Sequence, residues 1–125
     1  MKVKPTSSEL EILQILWKKS ECTVREVNEE LSRDRDAEIG YTTTLKLMQI
    51  MHEKGLVERE TSSRSHKYKA LISHAHISQN LLQTLIDTFY NGSAAQLVMQ
   101  ALGNKSSSEE EIKQIKEYLD RLDNK

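Results

Sequence analysis

Cysteine is almost missing from this 125-residue chain. Cys22 stands alone, which excludes an intramolecular disulfide and a multi-cysteine metal cluster and suits a reducing compartment. Aromatic residues are scarce, at 5%, so a core must be built from Leu, Ile, Val and Met. A small polar chain with so thin a core often completes it by pairing with another copy. No apolar run reaches the roughly 20 residues of a membrane span, and Met1–Pro5 shows no signal peptide. A soluble, cytoplasmic protein without membrane insertion is expected. A glycine-rich phosphate loop, a nucleophile elbow and paired carboxylates in an apolar setting are all lacking. No catalytic residue, no cofactor and no enzyme activity are expected. Histidines do not cluster: His74 and His76 fall on different faces of a helix, and His52 and His66 are isolated, so no metal site is expected. Nor is one sign of charge in excess. Residues 1–72 carry 13 Lys and Arg against 12 Asp and Glu, residues 73–125 carry 5 against 7, and the formal net charge is −1. Any nucleic-acid reading must rest on where the basic residues stand, not on their number.

What is present is helical periodicity punctuated by caps. Thr6-x-x-Glu9 and Thr23-x-x-Glu26 read as capping boxes, in which a hydroxyl accepts from a first-turn amide and a carboxylate accepts from the cap amide. After the first lie Leu10, Leu13 and Trp17, with Ile12 and Leu16, at helical spacing; Lys18 and Lys19 suit that helix's C-terminal end. Ser20–Cys22 reads as a turn or a very short strand. After the second box, Val24, Val27 and Leu31 line a short helix over about 23–32, and Ser32–Gly40 reads as a loop. A third helix is expected from Tyr41 to Lys54, with Leu45, Met48 and Met51 inward and Gly55 as its stop. Leu56–Glu60 and His66–Ala70, joined by the polar Thr61–Ser65, then read as a β-hairpin. From Ser73 the chain returns to helix: one with Ile77, Leu81, Leu82, Leu85, Ile86 and Phe89, broken at Asn91-Gly92; a short one from Ser93 to Gly103; and a last one capped by Ser107 or Ser108.

Three helices followed by a hairpin match a winged helix-turn-helix. The expected fold is mainly α with a small β-hairpin wing: a winged-helix domain over 1–72, then a helical dimerisation region over 73–125. In such a fold the second helix of the helix-turn-helix enters the major groove with its N-terminal residues at base edges. Here that end offers Tyr41, Thr42 and Thr43, then Lys46 and Gln49. Their hydroxyl, ammonium and amide groups suit phosphates and base edges, although the same residues also make an ordinary helix start with Thr44 turned to the core. Arg64 and Lys67, near the hairpin turn, are candidates for phosphate contacts; a charged edge that discourages strand pairing reads the same way. The region after Ser73 lacks room for a second core. Its candidates for dimer contacts are Leu85, Phe89 and the narrow stripe Ile112, Ile115, Leu119 and Leu122, spaced 3, 4 and 3 apart.

Several segments resemble the BlaI/MecI penicillinase-repressor family. They are Ser8-Glu9-Leu10-Glu11-Ile12-Leu13-x-x-Leu16-Trp17, Val24-x-Glu26-Val27-x-x-x-Leu31, Tyr41-Thr42-Thr43-Thr44-Leu45, Glu53-Lys54-Gly55-Leu56-Val57 and Phe89-Tyr90-Asn91-Gly92-Ser93. The resemblance implies a homodimer that represses genes from a palindromic double-stranded DNA operator, relieved by cleavage in the C-terminal region under a membrane sensor metalloprotease. It implies Thr42, Thr43 and Lys46 at the groove and Leu97, Val98 and Leu102 in the dimer interface. Three departures stand out. No cysteine follows Cys22, so the cysteine-rich C-terminal motif of the copper branch has no counterpart. The Asn-Phe bond cut in the β-lactam branch corresponds to Gln100-Ala101 here. Ile50 stands where a basic residue is expected. The near-neutral charge keeps one alternative in view, a winged helix that binds another protein and has no DNA target. A third reading, an effector pocket between the wing domain and the helix from Ser73, has no residue that marks it.

Overall fold

The computed structural model describes residues 4–61, 64–103 and 107–124. Helix α1 (Ser7–Lys19) leads to a two-residue strand β1 (Cys22–Thr23), then α2 (Val24–Asp34) and α3 (Tyr41–Glu53). Strands β2 (Val57–Glu60) and β3 (Lys67–Ala70) follow, and then α4 (His74–Phe89), α5 (Ala94–Gly103) and α6 (Glu109–Asp123). The three strands form one antiparallel sheet in the order β1-β3-β2, with Cys22 opposite Tyr68 and Arg59 opposite Tyr68 on its other side. Three helices interleaved with such a sheet make a winged helix. The chain divides into two compact units, Met1–Ser78 and Gln79–Lys125. No helix among the described residues is long and apolar enough to cross a membrane.

Local chemistry sets the helix ends. Thr6, Thr23 and Ser108 each make a full capping box, with Glu9, Glu26 and Glu111 as the reciprocating carboxylates. Of the two candidates before α6, Ser108 is therefore the cap. At the end of α3, Gly55 takes φ 81°. Its amide donates to His52 at 3.1 Å and that of Leu56 donates to Met51 at 2.9 Å, the paired bonds of a Schellman turn. That turn delivers Leu56 and Val57 into the core at the start of the wing.

Two expectations are corrected. The sheet has three strands rather than two, because the segment read as a turn or short strand pairs with β3 through Cys22 and Thr23. Helix α2 runs to Asp34, past the expected end at Ser32. Nothing in Ser32–Asp34 opposes helix, and the chain breaks only where Asp36 takes φ 50°, a left-handed conformation that Asp tolerates better than most residues. Ser62 and Ser63 of the expected hairpin turn lie outside the described residues.

The core of the first unit joins Ile12, Leu13 and Leu16 of α1, Val24, Val27 and Leu31 of α2, and Met48 and Met51 of α3 to Leu56, Val57 and Tyr68 of the sheet. One charged side chain lies among them. Glu9 is 2% exposed. Its carboxylate accepts from the Thr6 amide at 2.9 Å and from the Lys54 ammonium at 3.0 and 2.9 Å. Burial pushes the Glu9 carboxyl up, but the Thr6 amide and the Lys54 ammonium together outweigh it and hold the group below its ordinary value. A carboxylate depressed in the folded state stabilises the fold above its unfolded pKa, about 4.3 for Glu, and that contribution is lost as pH falls through the folded value. Replacing Lys54 by Met should leave Glu9 buried and uncompensated, lowering stability by about 3 kcal/mol in urea unfolding at neutral pH. The difference between variant and parent should shrink as pH falls below the carboxylate range; a difference independent of pH would remove the ion pair from the account.

Candidate nucleic-acid interface

The placement of α3 follows from what it buries. Thr44, Met48 and Met51 face the core, all fully enclosed. At 3.6 residues per turn, this turns Thr42, Lys46 and Gln49 to the opposite side, where they are exposed. Leu45, expected inward, is half-buried on the flank, and Thr44 takes the inward position. The reason is a polar contact. Asn28 of α2 donates through its side-chain amide to the Thr44 hydroxyl at 2.8 Å and to the Ile39 carbonyl at 2.9 Å, with the Gly40 carbonyl at 3.4 Å. One side chain thus fixes the loop before α3 and the first turn of α3. Asn28 escaped notice in the sequence. Its signal was a polar residue at i+4 from Val24 and i−3 from Leu31, inside an otherwise apolar stripe.

The N-terminus of α3 also differs from the others. In α1, α2, α4, α5 and α6 a hydroxyl of Thr6, Thr23, Ser73, Ser93 or Ser108 accepts from a first-turn amide. Helix α3 starts at Gly40 with no side-chain cap. Its first amides and the positive end of its dipole are left to whatever approaches from outside.

The residues expected at DNA fall into three groups. Thr42, Thr43 and Lys46 share a shallow depression of about 280 Å³ with Leu47 and Ile50. Tyr41 and Gln49 line a different cavity, of about 420 Å³, which they share with Arg64 beside the wing turn. Two arginines not singled out in the sequence, Arg25 at the start of α2 and Arg59 in β2, line that cavity too. Lys67 is not brought to either. It pairs with Thr23 and Glu60 in the sheet and borders a small cleft that also holds Glu21, Glu58 and Glu60.

In the second unit, the described residues bury one hydrophobic side chain, Ile86, at 7% exposure. Helices α5 and α6 bury none. Leu85, Phe89, Val98, Leu119 and Leu122 are exposed, Phe89 by 73%; Leu97, Leu102, Ile112 and Ile115 are half-buried. The Tyr90 hydroxyl donates to the Gln100 side-chain oxygen at 2.9 Å, tying the end of α4 to the middle of α5.

The profile of the family described as "Penicillinase repressor" matches residues 5–121. The chain belongs to the penicillinase repressor family. At 27% identity over 120 residues, it is similar to the penicillinase repressor of Bacillus licheniformis, covering 96% of this chain and 92% of that one. It is 23% identical over 116 residues to the methicillin resistance regulatory protein MecI of Mammaliicoccus sciuri, covering 93% of each. A solved structure of Lactococcus lactis ZitR, a point mutant, is similar with a TM-score of 0.47 and 20% identity over 99% of this chain and 77% of that one. Membership makes this repressor a DNA-binding transcriptional regulator and not an enzyme.

The Asn28 contact gives a prediction for the repressor. Asn28→Ala should remove the donor from Thr44 and the Ile39 carbonyl and lower stability by about 1–3 kcal/mol. Amide hydrogen exchange should accelerate most at Tyr41–Lys46, while α1 stays protected. Uniform acceleration over all three helices would mean that Asn28 only packs.

Proposed function

We propose that the repressor acts as a homodimer on a palindromic operator, with α3 of each subunit in a major groove and the second unit holding the subunits together. The observation that carries this reading is the stance of α3, buried through Thr44, Met48 and Met51 and exposed through Thr42, Thr43 and Lys46. Its uncapped N-terminus favours phosphate. Thr and Lys at that end have hydroxyl, methyl and ammonium groups matched to base edges.

The pairing of subunits is supported by the apolar surface of the second unit. Leu81, Leu82, Leu85 and Phe89 of α4, with Val98 and Met99 of α5 and Leu119 and Leu122 of α6, are all exposed in the single chain. A unit with one buried hydrophobic residue among those described has little to hold it together alone. A two-fold dimer spaces its recognition helices about one DNA turn, roughly 34 Å, apart. Each subunit then raises the effective concentration of the other at its half-site. Anything that undoes the pairing releases the operator. Cleavage in the second unit under a membrane sensor metalloprotease would act this way; Gln100-Ala101, the corresponding bond, lies in α5, which has no buried residue to protect it.

Selection from random duplex DNA at two salt concentrations tests the reading. A palindrome should be enriched, with binding that weakens steeply as salt rises. Lys46→Ala and Thr43→Ala should each lower operator affinity by about 1–3 kcal/mol without changing thermal stability. Phe89→Asp should give a monomer by sedimentation and reduce binding to the full palindrome more than to one half-site. No enrichment from a folded dimer would overturn the DNA assignment and favour a protein-binding winged helix instead.

A further inference from the structure

We propose that the cavity between the start of α2, the flank of α3 and the sheet is a seat for a phosphate group, with Arg59 at its base and a phosphodiester of the DNA backbone as occupant. This rests on the DNA-binding reading above and adds to it a specific anion site, apart from the depression at Thr42, Thr43 and Lys46.

Arg59 carries the argument. The Nε of its guanidinium is buried and has no hydrogen-bond acceptor among the described residues. A buried donor without a partner is unfavourable, the more so on a charged group. The same side chain lines the cavity, and the planar two-point donor face of a guanidinium is the geometry that a phosphate matches. The surroundings select the sign of the guest. Arg25, Arg64 and His66 line the same cavity, and none of its lining residues is a carboxylate. Arg25 lies in the first turn of α2, beside Thr23 and Val24 in the same lining. Size points the same way, since about 420 Å³ is room for a sugar-phosphate unit rather than a bare ion. Arg59 also borders the cleft of Glu21, Glu58 and Glu60, where Lys69 meets Glu58 at 3.4 Å.

Position favours DNA as the source of the phosphate. Tyr41 and Gln49 of α3 form one wall and Arg64 and His66, beside the wing turn, another. A duplex that receives α3 in its groove must carry one backbone past the gap between helix and wing.

The test uses the whole repressor and the Arg59→Gln variant, with Arg59→Lys as a charge-keeping control and thermal midpoints as a check of folding. Operator binding by Arg59→Gln should weaken about tenfold or more. The plot of log affinity against log salt should become shallower by about 0.9 for each seat lost. The selected palindrome should not change. Arg59→Lys should keep most of the slope and lose affinity, because the two-point contact is gone. If Arg59→Gln fails to fold, Arg25→Gln, on an exposed helix position, takes its place in the same titration. In parallel, inorganic phosphate is titrated into DNA-free protein while the Arg59 Nε–H resonance is followed by NMR. A phosphate-dependent shift with a reduced salt slope in the variant supports the inference. A shift with an unchanged slope assigns the seat to a free anion and overturns the DNA occupant. No shift and no change of slope overturn the seat. Failure of the DNA reading itself would appear in the unsubstituted repressor, whereas failure of this inference appears only in the difference between repressor and variant.

Discussion

The ion pair between Glu9 and Lys54 sets the position of α3, the helix on which the proposed interface depends. Glu9 belongs to the first turn of α1 and Lys54 caps the last turn of α3. Their contact is enclosed at the acid and partly open at the base. It is assembled on a capping box, so the carboxylate that starts α1 also anchors the end of α3. At the other end, Asn28 of α2 holds Thr44 and the preceding carbonyls. Helix α3 is therefore pinned at both ends by polar contacts, one to each neighbouring helix. Between the pins it rests on Met48 and Met51, whose flexible side chains fill space without dictating a rotation. Directional bonds at the ends supply the orientation that the methionines cannot.

Much of this arrangement was legible in the chain. Thr6, Thr23 and Gly55 announced helix boundaries because their chemistry is local: a cap needs only a hydroxyl and a carboxylate three residues on, and a left-handed stop needs only glycine. The outer residues of α3 could be named because helical periodicity is local too. What escaped was set by partners distant in sequence. Strand β1, left open between a turn and a very short strand, is two residues long, too short for any alternation to show, and exists because β3 offers it a ladder. Tyr68 is almost fully buried in the central strand, though its neighbours Lys67 and Lys69 gave that segment the look of a solvated edge. An inward Thr44 was one of the readings left open, but not its partner, Asn28, 16 residues earlier. Arg59 read as one more charge in an alternating Glu-Arg-Glu run; only the fold buries its Nε away from acceptors among the described residues.

The near-zero net charge takes on a different meaning once the residues are placed. Several acidic groups in the first unit are engaged: Glu9 with Lys54, Glu11 with Arg35, Glu30 with Lys19 and Arg33. Glu26 is held by the Thr23 amide. The cavity beside α3 is lined by arginines and a histidine with no acid among its walls. Bulk neutrality thus coexists with a local concentration of positive potential, and at physiological salt, where screening sets in over about 8 Å, the local field is the one a nucleic acid meets.

The chain has one tryptophan, and its position makes it a built-in optical probe. The Trp17 indole donates to the Ile72 carbonyl at 2.8 Å and meets the His74 ring edge-on, with centroids 5.0 Å apart. It therefore joins α1 to the stretch where the sheet has ended and α4 begins. Its emission comes from that junction alone, undiluted by other indoles. A change in the hydrogen bond or the ring contact there would be visible as a change in colour or intensity without a label.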